Sequence, residues 1–81
     1  MDEKLAEKIQ VGSLFQHYKG KKYKILSIAR NSENEEELCV VYQGQYTCET
    51  FGDKPIWVRP VKVFLETVEF QGNKVPRFKK V

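Results

Sequence analysis

Apolar positions along the chain change period twice. In the opening DEKLAEKIQVG, Leu5 and Ile9 stand four residues apart behind acidic residues, with Gly12 placed to end the run. That spacing predicts a short N-terminal helix of about two turns, which persists only if it docks. From Leu14 onward the pattern reads as strands: LFQHY, a KGKK turn, YKILSIA, a polar RNSENEEE loop and LCVVYQ make two hairpin-like connections. YTCETFGDKP, with Gly52, Asp53 and Pro55, predicts a loop or frayed hairpin before IWV resumes a strand. TVEFQGNKVPRF gives one more strand, a turn at Gly72 and Asn73, and a tail whose Val75 and Phe78 pack back on the body. The last three residues are expected to be loose.

KPIWVRPVKVFLE interrupts this reading, because Arg59 stands in an apolar run and is followed at once by a proline. Pro60 can open a helical turn, since its missing N–H has no partner there in any case, and Val61, Phe64 and Leu65 then share one face. Val61, Val63 and Leu65 also alternate as a strand would, but a proline does not fit the middle of a central strand, so a single tight turn is preferred. Five short strands with a turn between the fourth and fifth predict a mainly β protein, a small SH3-like five-stranded barrel. It carries a short N-terminal helix and one helical turn after Pro60. The expected organisation is a single domain over residues 1–81, with a helical segment at 1–12, the barrel at 14–78 and a loose tail at 79–81.

At 81 residues the core is small, and five Phe, four Tyr and one Trp must supply much of it. Fourteen basic against eleven acidic residues leave +3, which permits an anionic partner without demanding one. The charges are clustered: Lys19, Lys21, Lys22 and Lys24 crowd YKGKKYK, Lys74, Arg77, Lys79 and Lys80 crowd the C-terminus, and Glu33, Glu35, Glu36 and Glu37 form an acidic knot. Solvated faces that keep the protein soluble are the favoured reading of such clusters. Cys39 and Cys48 lack CxxC spacing and read as reduced thiols; with one histidine there is no metal-ligand set, and no cofactor is expected. The N-terminus has neither a basic start nor a long apolar core, and no apolar run approaches the ~20 residues that span a bilayer. A cytoplasmic protein without membrane contact is expected.

His17, the only imidazole, is the first suspect for any acid–base chemistry near neutral pH, oriented by Glu33 or paired with Ser32. No nucleophile elbow or phosphate-binding glycine loop accompanies it, and a strand-end histidine hydrogen-bonded locally is the simpler reading. KGKKYK mixes cations with a tyrosine as phosphate-and-base sites do, yet it is also an ordinary hairpin turn. Arg30 either forks onto Glu33 or a following glutamate, pinning the hairpin, or joins Arg59 and Arg77 in one site that reads carboxylate or phosphate. Trp57 and Arg59 lie two apart and hence on one face. Either Trp57 is core and Ile56 and Val58 are only partly covered, or the reverse holds and Trp57 and Arg59 form an exposed aromatic–cation pair.

HYKGKKYKILSIARNSENEEELCVVYQ, WVRPVKVFLETVE and VPRF, in that order across about residues 14 to 78, together resemble the bacterial family known as domain of unknown function 1653. YTCETFG at residues 46 to 52 is longer than that family's short tyrosine-glycine link, a departure that bears on the local loop. The resemblance implies no activity, but its recurring polar positions nominate a surface: His17, Tyr18, Lys19 and Gly20, then Arg30, Ser32 and Glu33, then Tyr42 and Gln43, then Trp57 and Arg59, and Arg77. The first expectation is therefore a non-catalytic binding module, with Arg59, Trp57, Arg30, Tyr42, Tyr18 and Arg77 contacting an anionic ligand such as nucleic acid, a nucleotide or an acidic peptide. The alternatives are a protein-interaction module with little charge selectivity, marked by an apolar patch around Trp57 and Phe51, and a small hydrolase or isomerase using His17.

Overall fold

A computed structural model describes residues 2–81; Met1, included in the expected helical segment, lies outside them. In chain order the elements are α1 (Asp2–Ala6), β1 (Leu14–His17), β2 (Lys22–Asn31), β3 (Asn34–Gly44), β4 (Thr47–Cys48), β5 (Gly52–Asp53), β6 (Ile56–Pro60), α2 (Val61–Phe64), β7 (Thr67–Phe70), β8 (Asn73–Pro76) and β9 (Phe78–Lys80). The protein is mainly β, as expected. Its principal sheet is five-stranded and antiparallel in the order β6-β3-β2-β1-β9.

Cross-strand partners share a face, so the register defines the inner surface. Arg59 pairs with Val40, Trp57 with Tyr42, Tyr42 with Ile25, Phe15 with Tyr23, and His17 with Phe78. A one-residue bulge at Leu26 in β2 keeps Ile28, opposite Val40, on this face as well. Phe15, Ile25, Leu38, Val40, Tyr42 and Phe78 are buried there, together with Ile9 from the N-terminal segment. Over them sits α2, started where Pro60 ends the β6 ladder; its Val61 and Phe64 are fully buried, worth about 1.5–3 kcal/mol each. Asp2 is buried against β3, its carboxylate accepting the Leu38 N–H at 3.0 Å.

Several expectations are corrected. The sheet does not close into a barrel by hydrogen bonds: β6 and β9 are its two edges. Pro60 offers no N–H and the chain turns into α2, so no ladder crosses the gap. Side chains cross it instead, with the Arg59 guanidinium 5.5 Å from the Phe78 ring centre, which requires the sheet to curl. Residues 79 and 80, expected to be loose, belong to β9 and pair with β1, and the Val81 N–H donates to the Leu14 carbonyl. The acidic RNSENEEE loop is mostly strand. Only Ser32 and Glu33 turn, with the Asn31 side chain accepting the Glu33 N–H, and the glutamates after Asn34 fill a register shift in β3. The last hairpin turns at Gln71 and Gly72, both at positive φ, rather than at Gly72 and Asn73; that is the type I′ geometry suited to a two-residue connection. The N-terminal helix spans five residues, and residues 7 to 9 continue in tighter turns, each N–H bonding three residues back.

Candidate aromatic and arginine seam

Phe78 is the floor of the gap. Its ring stacks on Phe64 at 4.1 Å with 6° between planes. Edges of His17 (5.0 Å), Tyr42 (5.4 Å) and Tyr23 (5.6 Å) pack around it. β9 can deliver a phenylalanine here because pairing with β1 sets Phe78 opposite His17 on the inner face. Above the floor, Arg59 lies half-buried on the aromatic ring, an arrangement its planar, weakly hydrated guanidinium favours.

Arg59 acts electrostatically on its neighbours. Burial pushes the Tyr42 phenol above its ordinary value, and the adjacent Arg59 cation opposes that rise. His17 is held below 6.5, first by burial and then by the charges of Arg59, Lys19 and Arg77. His17 and Arg59 meet over the same Phe78 ring, at 5.0 and 5.5 Å from its centre. The His17 Nδ1 accepts the Lys19 N–H at 3.1 Å, leaving the neutral ring's proton on Nε2. This is the locally bonded histidine. Ser32 and Glu33 lie at the tip of the β2–β3 hairpin, away from the β1 end that carries His17.

Arg77 also braces the fold. Its Nε donates to the Val63 carbonyl at 3.2 Å and its Nη2 to the Glu66 carboxylate at 3.1 Å, tying the C-terminal segment to α2. Arg30 stands apart. Its Nη1 bonds the Glu35 carbonyl and lies 3.6 Å from the Glu3 carboxylate, in an acidic hollow that includes Glu36 and Glu37. It pins the hairpin, as one of the two expectations held, through Glu35's backbone rather than a side-chain fork.

Trp57 completes one flank. Its Nε1 donates to the Tyr46 hydroxyl at 3.1 Å, and that hydroxyl lies 3.3 Å from Tyr23's. Burial and this Tyr46 contact drive the Tyr23 phenol far upward. Lys21 caps the flank with its Nζ 4.3 Å from the Tyr46 ring centre. Ile56 and Val58 consequently face outward and are 61% and 65% exposed. Tyr18, on the far side of His17, tilts against the imidazole at 4.5 Å and meets Phe70 edge-on at 5.3 Å. Lys21 and Tyr23 belong to the KGKKYK stretch that the sequence offered as a phosphate-and-base candidate. Sequence reasoning missed Tyr46 and Phe70, which depend on long-range packing that leaves no local trace. Among the described residues no cluster of His, Cys, Asp and Glu is arranged to hold a metal, and no helix is long and apolar enough to cross a membrane.

The chain is similar to a protein of Bordetella bronchiseptica whose crystal structure represents the DUF1653 family. The two share 31% identity over 91% of this chain and 90% of that one, with a TM-score of 0.76. No curated protein matches. The model of the family described as protein of unknown function (DUF1653) matches residues 13–80, and with the seam's residues and this likeness in view, the chain belongs to the DUF1653 family.

Proposed function

We propose that the protein is a non-catalytic binding module that holds an anionic group at the seam between β6 and β9. The observation that carries this reading is the state of Arg59. It is half-buried on an aromatic floor, and the ion pairs among the described residues are those of Arg30 with Glu3 and Arg77 with Glu66. A partly dehydrated guanidinium without a carboxylate, beside an imidazole whose protonation its charge already opposes, is stabilised by an arriving anion. Half-buried Trp57 on one flank and Tyr18 beyond His17 supply aromatic surface, while Tyr42 is core beneath them.

The test is a binding screen at low salt across RNA, DNA, nucleotides and acidic peptides, comparing the wild type with Arg59→Ala. The expected complex weakens with added salt and with the substitution. Absence of any arginine-dependent complex removes the reading. A second reading, a protein-interaction module with little charge selectivity, is favoured by Phe51, which is 61% exposed and edge-on to Trp57 at 5.2 Å, with Ile56 and Val58 exposed on the other face of β6. A partner retained at high salt and lost on Phe51→Ser would select it.

A further inference from the structure

A hollow of about 340 Å³ opens beside the seam, where the end of β1, the β7–β8 hairpin and β9 meet. We infer that this hollow is a nucleotide subsite, taking the base of a nucleotide against Tyr18 and Phe70 with its phosphate at Lys79. The inference deepens the anion-binding reading of the Arg59 seam and rests on it for the direction in which a longer ligand runs.

The walls are aromatic and apolar: Tyr18 and Phe70 form a corner at 5.3 Å, and Pro76 closes the side. Phe70 is 37% exposed in the absence of any covering element. The volume lies at the lower end of the range of about 300–1,000 Å³ typical of ligand pockets, enough for one base and its sugar. Every charged side chain on the lining is basic or imidazole; no carboxylate is among them. The register explains the cation: Gln16 of β1 pairs with Lys79 of β9, and both line the hollow. Gln16 itself is held by its Nε2, which donates to the Gly20 carbonyl at 2.9 Å. Its Oε1 is left to accept from a base edge, as amide side chains do.

Three rings continue outward from the buried Phe78: His17, Tyr18 and Phe70, with successive centres 4.5 and 5.3 Å apart and with the greatest exposure at Phe70. Aromatic steps lined by cations suit a single strand, whose bases stack while its phosphates follow the charges. An acidic peptide would use the cations but has no need of a flat corner with an amide acceptor.

The test uses the full chain and fluorescence anisotropy of a short labelled single-stranded RNA, with adenosine monophosphate, base-free polyphosphate and a phenylalanine-containing acidic peptide as competitors. Phe70→Ala is expected to weaken RNA binding about tenfold, and Lys79→Ala to flatten the dependence of log affinity on log salt by about 0.7. Both residues are exposed, so both variants should keep the wild-type circular dichroism spectrum and melting profile. Displacement by adenosine monophosphate identifies free nucleotide as sufficient; displacement only by unlabelled strand identifies single-stranded nucleic acid, and either supports the subsite. If polyphosphate competes as well as RNA and Phe70→Ala changes nothing, the subsite is overturned, while loss on Arg59→Ala would leave the seam reading standing. If Phe70→Ala and Lys79→Ala weaken binding and Arg59→Ala does not, the subsite stands and the seam reading fails. Binding of the peptide with none of the RNA or nucleotide overturns the nucleotide assignment.

Discussion

Replacing Gly44 by alanine should destabilise the protein although the backbone there accepts alanine. Gly44 ends β3 and is not among the glycines with positive φ. The conflict is with a side chain. A Cβ built on Gly44 falls 2.5 Å from Tyr46 Cε2 and 2.7 Å from Cζ, closer than real Cβ contacts come, and 3.1 Å from Cδ2, so the ring must move away. Leaving costs the Trp57 Nε1 bond at 3.1 Å and the Tyr23 hydroxyl contact at 3.3 Å. Two neutral hydrogen bonds are worth about 1–3 kcal/mol together, and the Lys21 contact with the ring adds little at an exposed site. Against this, a Gly→Ala change gains about 0.4–1 kcal/mol through the unfolded chain. The net loss is about 1–2 kcal/mol. With a urea m-value of about 1 kcal/mol/M for so small a domain, the unfolding midpoint should fall by about 1–2 M. The decisive comparison is a double-mutant cycle with Tyr46→Ala. Once the ring is absent the alanine has nothing to displace, and Gly44→Ala should become neutral or stabilising. An equal cost in both backgrounds would refute the reasoning, because the penalty would then arise in the backbone.

Other outcomes follow from the same contacts. Arg77→Leu should cost about 1–2 kcal/mol in urea unfolding, mostly through the Val63 carbonyl, whereas Glu66→Gln should cost less than about 0.5 kcal/mol because that carboxylate is 57% exposed; equal costs would assign the effect to the ion pair. The His17 resonance should titrate below 6.5 in NMR and move upward in Arg59→Ala, since that charge helps hold it down; an unmoved midpoint would separate the two residues. Because the folded imidazole binds a proton less readily than the unfolded one, its contribution to stability is present above pH 6.5 and lost as pH falls through the lower folded value, and His17→Gln should flatten that slope. Cys48 should alkylate with iodoacetamide faster than Cys39 near pH 7.5. The N–H groups of Phe51 and Thr50 lower the Cys48 thiol, while burial raises that of Cys39; the reverse order in peptide mapping would count against this hairpin geometry.

What the sequence determined by itself is what depends on near neighbours. Strand character from Leu14, the turn at KGKK and the helical turn after Pro60 were all legible, because period and proline stereochemistry act within a few residues. The pairing of Trp57 with Arg59 on one face was legible for the same reason, whereas the family motifs nominated His17 and Arg59 together with Arg30, Ser32 and Glu33, which lie toward the tip of the β2–β3 hairpin. The sequence could not say which face of β6 is inward. That followed from the register with β3, where Tyr42 and Val40 stand opposite Trp57 and Arg59. The bulge at Leu26 also escaped it, since a parity change is set by pairing rather than by composition. Only the tertiary structure sent Arg30 to Glu3 and Arg59 to Phe78. An arginine's reach spans several alternative partners, and long-range packing decides which of them lies within it.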